Sequence, residues 1–288
     1  MKKVGFIGLG VMGKGIAANI SKKYPMIVFN RTKRKSIIFK KVFKKNIQVA
    51  ESYKEVARNS NVIITCVGND KDLEKVFFSK EGLLNNVSEN THIIDHSTVS
   101  FTFSKNAAKR FKDKKCFFFD APVSGGEIGA KNGSLSIMIG GNKSKLKEIK
   151  QILKIYSKNI SYMGSSGSGQ ITKMVNQICI AGLIQGLSEG LHFGKKNGLK
   201  FQSLFSAISS GAAQSWQMDN RARTMWKNQF NFGFMNKHMY KDLDIVKKHS
   251  KQKKIDIPIT LTVMKLYKIL LQEGYEQLDT SSLIKLLK

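Results

Sequence analysis

The 288-residue sequence predicts an α/β domain built on a doubly wound parallel sheet, followed by an all-α domain. Short β-rich apolar runs alternate with stretches of helical composition through the first half, the pattern of a parallel sheet covered on both faces. A glycine-rich turn joins the first run to the first helix. From residue 170 onward only helical periodicity remains.

Residues 4–8 are the first apolar run and residues 14–21 read as a helix, so strand, tight turn and helix follow in order. Residues 26–30, 62–67, 92–95 and 116–121 supply further strands. Residues 134–140 add another, 143–156 read as a helix, and 160–163 close the sheet of a first domain assigned to residues 1–163. Residues 164–169, GSSGSG, have the composition of a flexible linker. Residues 170–196 form one long helical pattern, with apolar Ile171, Met174, Val175, Ile178, Leu183, Leu187 and Leu191. This helix enters an all-helical substrate and oligomerisation domain assigned to residues 164–288. Gly182, Gly186 and Gly190 recur every four residues within it. Glycine costs about 1 kcal/mol against alanine in a helix interior, so the stripe predicts close approach of another helix, within the chain or between subunits. Gly211, Gly233, Pro258 and Gly274 mark the later breaks.

Hydrophobic residues at 41% and charged residues at 24% exclude the disordered and fibrous classes. Lys+Arg number 49 against 20 Asp+Glu, a formal +29. Nucleic-acid binding would need those cations clustered. They are scattered, with short groups at 33–35, 112–115 and 251–254, which favours a solvated basic surface that attracts anionic substrates and cofactors. Cys66, Cys116 and Cys179 form no CxxC pair, so neither a zinc site nor a disulfide framework is expected, and no metal is assigned. The first apolar run is broken by glycines after a few residues, unlike a signal peptide or membrane span. A cytoplasmic, reducing setting is expected, without membrane association.

Gly8-Leu9-Gly10-Val11-Met12-Gly13 is a GxGxxG between a strand and a helix. The first glycine permits the turn, the second lets the backbone approach a pyrophosphate, and the third allows close helix–sheet packing, with the helix N-terminus facing the phosphates. About twenty residues on, where an acidic residue would bind ribose hydroxyls, stand Asn30-Arg31-Thr32 with Lys33 and Arg34 behind. A cation in place of a carboxylate favours NADP, with NAD possible. Asp95-His96-Ser97-Thr98 and Asp120-Ala121-Pro122-Val123-Ser124-Gly125-Gly126 each follow a strand, at the edge where open α/β sheets bind ligands. A Ser-Gly-Gly turn can offer backbone N–H groups to a carboxylate, or simply be a loop. Lys173 and Asn176 are three apart on one helical face. Spacing alone makes Lys173 an exposed surface lysine, one of dozens.

Together these stretches resemble the β-hydroxyacid dehydrogenase family, which includes 3-hydroxyisobutyrate dehydrogenase, tartronate semialdehyde reductase and related semialdehyde and glyoxylate reductases. FIGLGVMG matches the cofactor motif, DHSTVS the nicotinamide-side loop, DAPVSGG the substrate loop and GSGQITKMVNQ the catalytic helix, with GAAQSWQM and KDLDI as C-terminal landmarks. The resemblance implies a Rossmann-type domain joined to an all-helical one. It also implies interconversion of a short 3-hydroxycarboxylic acid and its semialdehyde or oxo acid, with Lys173 as general acid/base. On the same ground Ser124, Gly125, Gly126 and Asn176 bind the substrate carboxylate, and Phe234 and Asp242 line the substrate pocket. The cofactor set is completed by Val67, Gly68, Asn69, Thr98 and Lys241. The resemblance further turns residues 164–169 from a linker into the mouth of the active site, and implies a homodimer or homotetramer. Gln177 departs from members that carry a second asparagine there, which bears on substrate preference. Two alternatives stand beside this reading. One is a 6-phosphogluconate dehydrogenase-like enzyme, against which chain length weighs. The other is a non-catalytic NADP- or nucleic-acid-binding protein that has kept the fold.

Overall fold

The computed structural model describes residues 3–43 and 46–288. Met1, Lys2, Lys44 and Lys45, within the span assigned to the first domain, lie outside the described residues. The chain divides into two compact units, Met1–Lys173 and Met174–Lys288.

The first unit alternates strand and helix: β1 Val4–Ile7, α1 Val11–Ser21, β2 Met26–Phe29, α2 Lys33–Phe43, β3 Ile47–Val49, α3 Tyr53–Arg58, β4 Val62–Thr65, α4 Asp70–Phe78, β5 His92–Asp95, α5 Phe101–Asp113 and β6 Phe117–Asp120. These strands are parallel in the order β3-β2-β1-β4-β5-β6. The order reverses between β1 and β4, creating the crevice at which doubly wound sheets bind ligands. The chain continues through β7 Val123–Ser124, α6 Gly126–Asn132, β8 Leu135–Gly141, α7 Lys143–Leu153 and β9 Ser157–Gly164. Here the sheet stops being purely parallel, because β8 runs antiparallel to β6 and β7 and parallel to β9.

Alternate residues of the central strands explain why helices must cover both faces. Phe6, Ile64, Ile94 and Phe119 enter one core with Ile16 and Ala17 of α1 and Phe39 of α2. Ile7, Ile63, Ile93 and Phe118 enter the other with Val56, Leu73 and Phe103 of α3, α4 and α5. Burying both faces makes the strands read as continuous apolar runs. Side-chain caps set the helix starts on the second face: Ser52, Asn69 and Ser100 accept from the backbone N–H groups of Glu55, Asp72 and Phe103.

The helix α8, Ser168–Lys196, begins in the first unit and continues into the second, which adds α9 Phe201–Ser209, α10 Trp216–Trp226, α11 Asn236–Lys253, α12 Pro258–Gln272 and a 3₁₀ segment Thr280–Leu286. Ala181 and Ile184 of α8 pack with Met239, Leu243, Val263 and Tyr267, and Leu187 and Leu191 with Met218, Ala222 and Met225. No helix among the described residues is long and apolar enough to cross a membrane.

Two local expectations are corrected and a third is narrowed. Residues 143–156 are not all helical, since α7 ends at Leu153 and β9 begins at Ser157. Residues 164–169 are no flexible linker: Gly164 ends β9, Ser168 begins α8, and a Cβ on Gly169 would stand 2.5 Å from both Asp120 O and Met138 O. A Cβ at Gly182, Gly186 or Gly190 would meet no described heavy atom within 4 Å, so among the described residues the stripe packs on no other helix of this chain, which leaves packing between subunits as the expectation.

Candidate active site

The glycine loop leaves β1 at Ile7 and enters α1 at Val11. Gly8 has φ +102°, and a Cβ there would overlap Cys66 O at the end of β4. A Cβ on Gly13 would overlap Gly8 O and stand 3.2 Å from the Phe6 ring, so the third glycine sets how tightly α1 packs on the loop. Gly10, the N-cap, differs: a Cβ there would meet nothing within 4 Å. Lys14 N donates to Gly10 O at 2.9 Å, the first helical bond. The N–H groups of Val11, Met12 and Gly13 therefore precede the helical ladder. A loop packed tight on its inner side and open at Gly10 fits the pyrophosphate of a dinucleotide.

The end of β2 is tied to this loop. Asn30 Oδ1 accepts from Leu9 N at 2.8 Å, and Asn30 Nδ2 donates to Thr32 O at 3.1 Å. Arg31 is 77% exposed along its side chain, and its guanidinium pairs with Asp72 of α4 at 2.7 Å. After β4, Val67 N donates to Ser97 Oγ at 2.9 Å, Gly68 is exposed, and Asn69 caps α4. Thr98, half-buried, lies between β5 and α5.

The ends of β5 and β6 carry two buried carboxylates at paired positions, Asp95 and Asp120. Burial pushes Asp95 up to about 7, against donation from Ser97 and Thr65. Burial likewise pushes Asp120 up to about 6, although it accepts from Gly167 N at 2.7 Å and Gln170 N at 3.0 Å. His96 between them is buried, with Nδ1 at 2.5 Å from Ala121 O and Nε2 at 2.9 Å from Tyr156 Oη. The carbonyl can only accept, so Nδ1 carries the proton and Tyr156 donates to Nε2. Burial lowers the His96 pKa to about 4, keeping the ring neutral.

Lys173 stands in the second turn of α8 and is only 8% exposed, contrary to the surface position that spacing alone suggests. Its Nζ donates to Val123 O at 3.0 Å, in the strand that leads into Ser124. Gly125 and Gly126 follow with φ +121° and +61°, exposed, and open α6. One carbonyl thus places the amine beside the Ser-Gly-Gly turn.

In the second unit, Asn176 Nδ2 donates to Gln177 Oε1 at 2.8 Å, and Gln177 Nε2 to Asp242 Oδ2 at 2.7 Å. Lys241 pairs with Asp242 Oδ1 at 2.9 Å. These four residues are brought together. Phe234 is apart from that chain of bonds: its N–H donates to buried Asp279 at 2.9 Å and its ring stacks on His238.

Known proteins share these two domains in this order. The family model described as the NAD binding domain of 6-phosphogluconate dehydrogenase matches residues 3–164. The model described as NAD-binding of NADP-dependent 3-hydroxyisobutyrate dehydrogenase matches residues 167–287. The chain belongs to the β-hydroxyacid dehydrogenase family. An uncharacterized oxidoreductase of Shewanella frigidimarina is 40% identical over 285 residues, 99% of this chain and 97% of its own length. The 2-hydroxy-3-oxopropionate reductase of Escherichia coli is 31% identical over 286 residues, with coverage of 99% and 97%. The solved structure of Mycobacterium tuberculosis 3-hydroxyisobutyrate dehydrogenase with L-serine superposes with a TM-score of 0.90 at 25% identity, covering 100% of this chain and 99% of that one. As a member of this family, the chain is an NAD(P)-dependent hydroxyacid dehydrogenase.

Sequence reasoning about this dehydrogenase missed Asp72, Gln170 and the roles of Asp120 and His96. Asp72 meets Arg31 from 41 positions away, and Gln170 meets Ser97 and Val99 from more than 70. No local spacing encodes such partners. The one available signal was a polar residue inside an apolar helical face.

Proposed function

We propose that this dehydrogenase interconverts a short 3-hydroxycarboxylic acid with its semialdehyde or oxo acid, with NADP as the preferred nicotinamide cofactor and Lys173 as general acid/base. The observation that carries the reading is the buried Lys173 amine, held by Val123 O directly before Ser124, Gly125 and Gly126. The cofactor, when bound, supplies or accepts the hydride. Lys173 Nζ gives a proton to the carbonyl oxygen in reduction and takes the hydroxyl proton in oxidation. Consecutive N–H groups of a left-handed Gly-Gly turn suit a carboxylate, so Ser124, Gly125 and Gly126 hold the acid group, with Asn176 assisting. Phe234 and Asp242 are assigned to the substrate pocket on the family resemblance.

The dinucleotide is held by Gly8, Leu9, Gly10, Val11, Met12 and Gly13, with Val67, Gly68, Asn69, Thr98 and Lys241 completing the set. The NADP preference is supported by the exposed Arg31 guanidinium at the end of β2, between Asn30 and Thr32 and with no carboxylate among the three. On this reading residues 1–163 bind the cofactor and 164–288 serve substrate binding and assembly as a homodimer or homotetramer in the cytoplasm. Exposed Val175, Leu183 and Phe193 on α8 support self-association.

Two relatives guide the assay: the E. coli enzyme is named for 2-hydroxy-3-oxopropionate, and the M. tuberculosis enzyme is described with L-serine, itself a 3-hydroxyacid. 3-Hydroxyisobutyrate, glycerate and L-serine should be tested with NADP and NAD. Oxidation of at least one, with kcat/KM for NADP about tenfold or more above NAD, is expected from one charged phosphate contact. Turnover of none, or steeply salt-dependent nucleic-acid binding that competes with NADPH, would overturn the reading.

A further inference from the structure

We propose that Gln170 is a positioning residue that locks the Thr98 loop and the Lys173 turn into one rigid frame, with Asp120 anchoring the base of that turn. This rests on the reading of Lys173 as the acid/base. Gln170 lies one helical turn before Lys173, a spacing that puts the two side chains on one face of α8. Its carboxamide is buried and used at both ends: Nε2 donates to Ser97 O at 2.8 Å, and Oε1 accepts from Val99 N at 3.2 Å. These bonds grip the backbone on either side of Thr98.

The gripped segment is itself fixed to its neighbours. Ser97 Oγ accepts from Val67 N at 2.9 Å, and Ser97 N donates to Asp95 Oδ1 at 3.1 Å. Beneath Gln170, the Asp120 carboxylate accepts from Gly167 N and Gln170 N, satisfying donors that the helix cannot pair. Gly169 leaves no room for sliding between Asp120 O and Met138 O. The loops after β4, β5 and β6 therefore converge on the first turn of α8, through one amide and one carboxylate.

The fork demands an amide. Ser97 O needs a donor and Val99 N an acceptor, at the fixed separation of a carboxamide. An ionised carboxylate in its place has only acceptors and would face Ser97 O with another oxygen. Methionine keeps the volume but makes neither bond. In the Gln170→Glu variant, protonation of the new carboxyl restores the donor, which gives the test a pH signature.

The experiment compares wild type, Gln170→Met, Gln170→Glu and Lys173→Ala in three readouts. These are turnover of 3-hydroxyisobutyrate, glycerate and L-serine with NADP, NADPH binding by fluorescence, and acylation of Lys173 scored by peptide mass spectrometry against exposed lysines. The last does not depend on turnover. Gln170→Met should lower kcat by roughly 30- to 100-fold, the scale of a misplacement of about 1 Å. NADPH affinity should stay within about threefold, and Lys173 should acylate about tenfold faster as its frame loosens. Gln170→Glu should approach wild-type turnover as pH falls. A folded Gln170→Met protein with unchanged kcat and unchanged Lys173 acylation would overturn the proposal. So would general loss of NADPH binding with faster acylation of half-buried lysines such as Lys54 and Lys145 alongside Lys173, the mark of a merely structural residue. If Lys173→Ala retains turnover, the acid/base reading fails by itself, while the acylation rates still report on Gln170.

Discussion

Gly10 and Gly13 occupy the same loop, yet the structure predicts opposite consequences for adding one methyl group. At Gly13 a Cβ overlaps Gly8 O and stands 3.1 Å from Gly8 C, so the loop and α1 must part by about 1 Å. Overpacking of that kind costs roughly 1–3 kcal/mol. For a unit of this size that lowers Tm by about 2–4 °C per kcal/mol, so Gly13→Ala should lose about 2–12 °C. At Gly10 the φ is −71° and a Cβ would meet nothing within 4 Å, so alanine fits the backbone, and its cost of about 0.5–1 kcal/mol as a poorer N-cap is offset by a similar gain from a less flexible unfolded chain. Its methyl, however, stands on the open side of the loop, where the proposed site takes the pyrophosphate. Gly10→Ala should therefore keep its Tm within about 2 °C while weakening NADPH binding tenfold or more, about 1.4 kcal/mol. Thermal melts of the free protein and NADPH fluorescence titrations separate the two effects. Wild-type affinity in Gly10→Ala, or a wild-type melt in Gly13→Ala, would refute the assignment of this loop.

The remaining predictions concern the cofactor's phosphate and the buried histidine. Arg31→Ala should weaken NADP by tenfold or more and NAD by much less, with Tm nearly unchanged because an exposed ion pair contributes at most about 1 kcal/mol. Asp72→Asn, which frees Arg31 from its 2.7 Å partner, should tighten NADP; equal effects on both cofactors would show that Arg31 does not meet the 2′-phosphate. His96 has a folded pKa lowered to about 4, so its contribution to stability is full above the unfolded value near 6.5 and is lost as pH falls towards 4. Asp95 and Asp120 have raised values, so theirs is full below about 4 and is lost as pH rises through about 6 to 7. His96→Gln should therefore lose less stability than wild type between pH 6.5 and 4 in urea melts; parallel curves would contradict a neutral buried ring.

The fold class was legible because its signals are local. Strand, glycine turn and helix adjoin in residues 4–21, and the central strands carry short apolar runs such as Val62–Ile64. β3 escaped notice because Ile47–Val49 is only three residues long, too short for a period to register. The Ser-rich composition of residues 164–169 misled for a different reason: Gly167 is needed at φ +97°, and Gly169 for contact with β6 and β8, not for freedom. Lys173 illustrates the limit most clearly. In a chain with 49 Lys+Arg, nothing in its spacing marks it as buried, and only the resemblance of GSGQITKMVNQ drew attention to it. What buries it is a carbonyl 50 positions away and a helix start capped by Asp120. Such partners are products of the fold and leave no periodic trace.

The proposed mechanism turns on that amine, and Lys173→Ala tests it most directly. Turnover of the best of the three hydroxyacids should fall by about 10²- to 10⁴-fold, the usual contribution of a positioned acid/base, while NADPH binding persists. Turnover within a few-fold of wild type in the folded variant would contradict it.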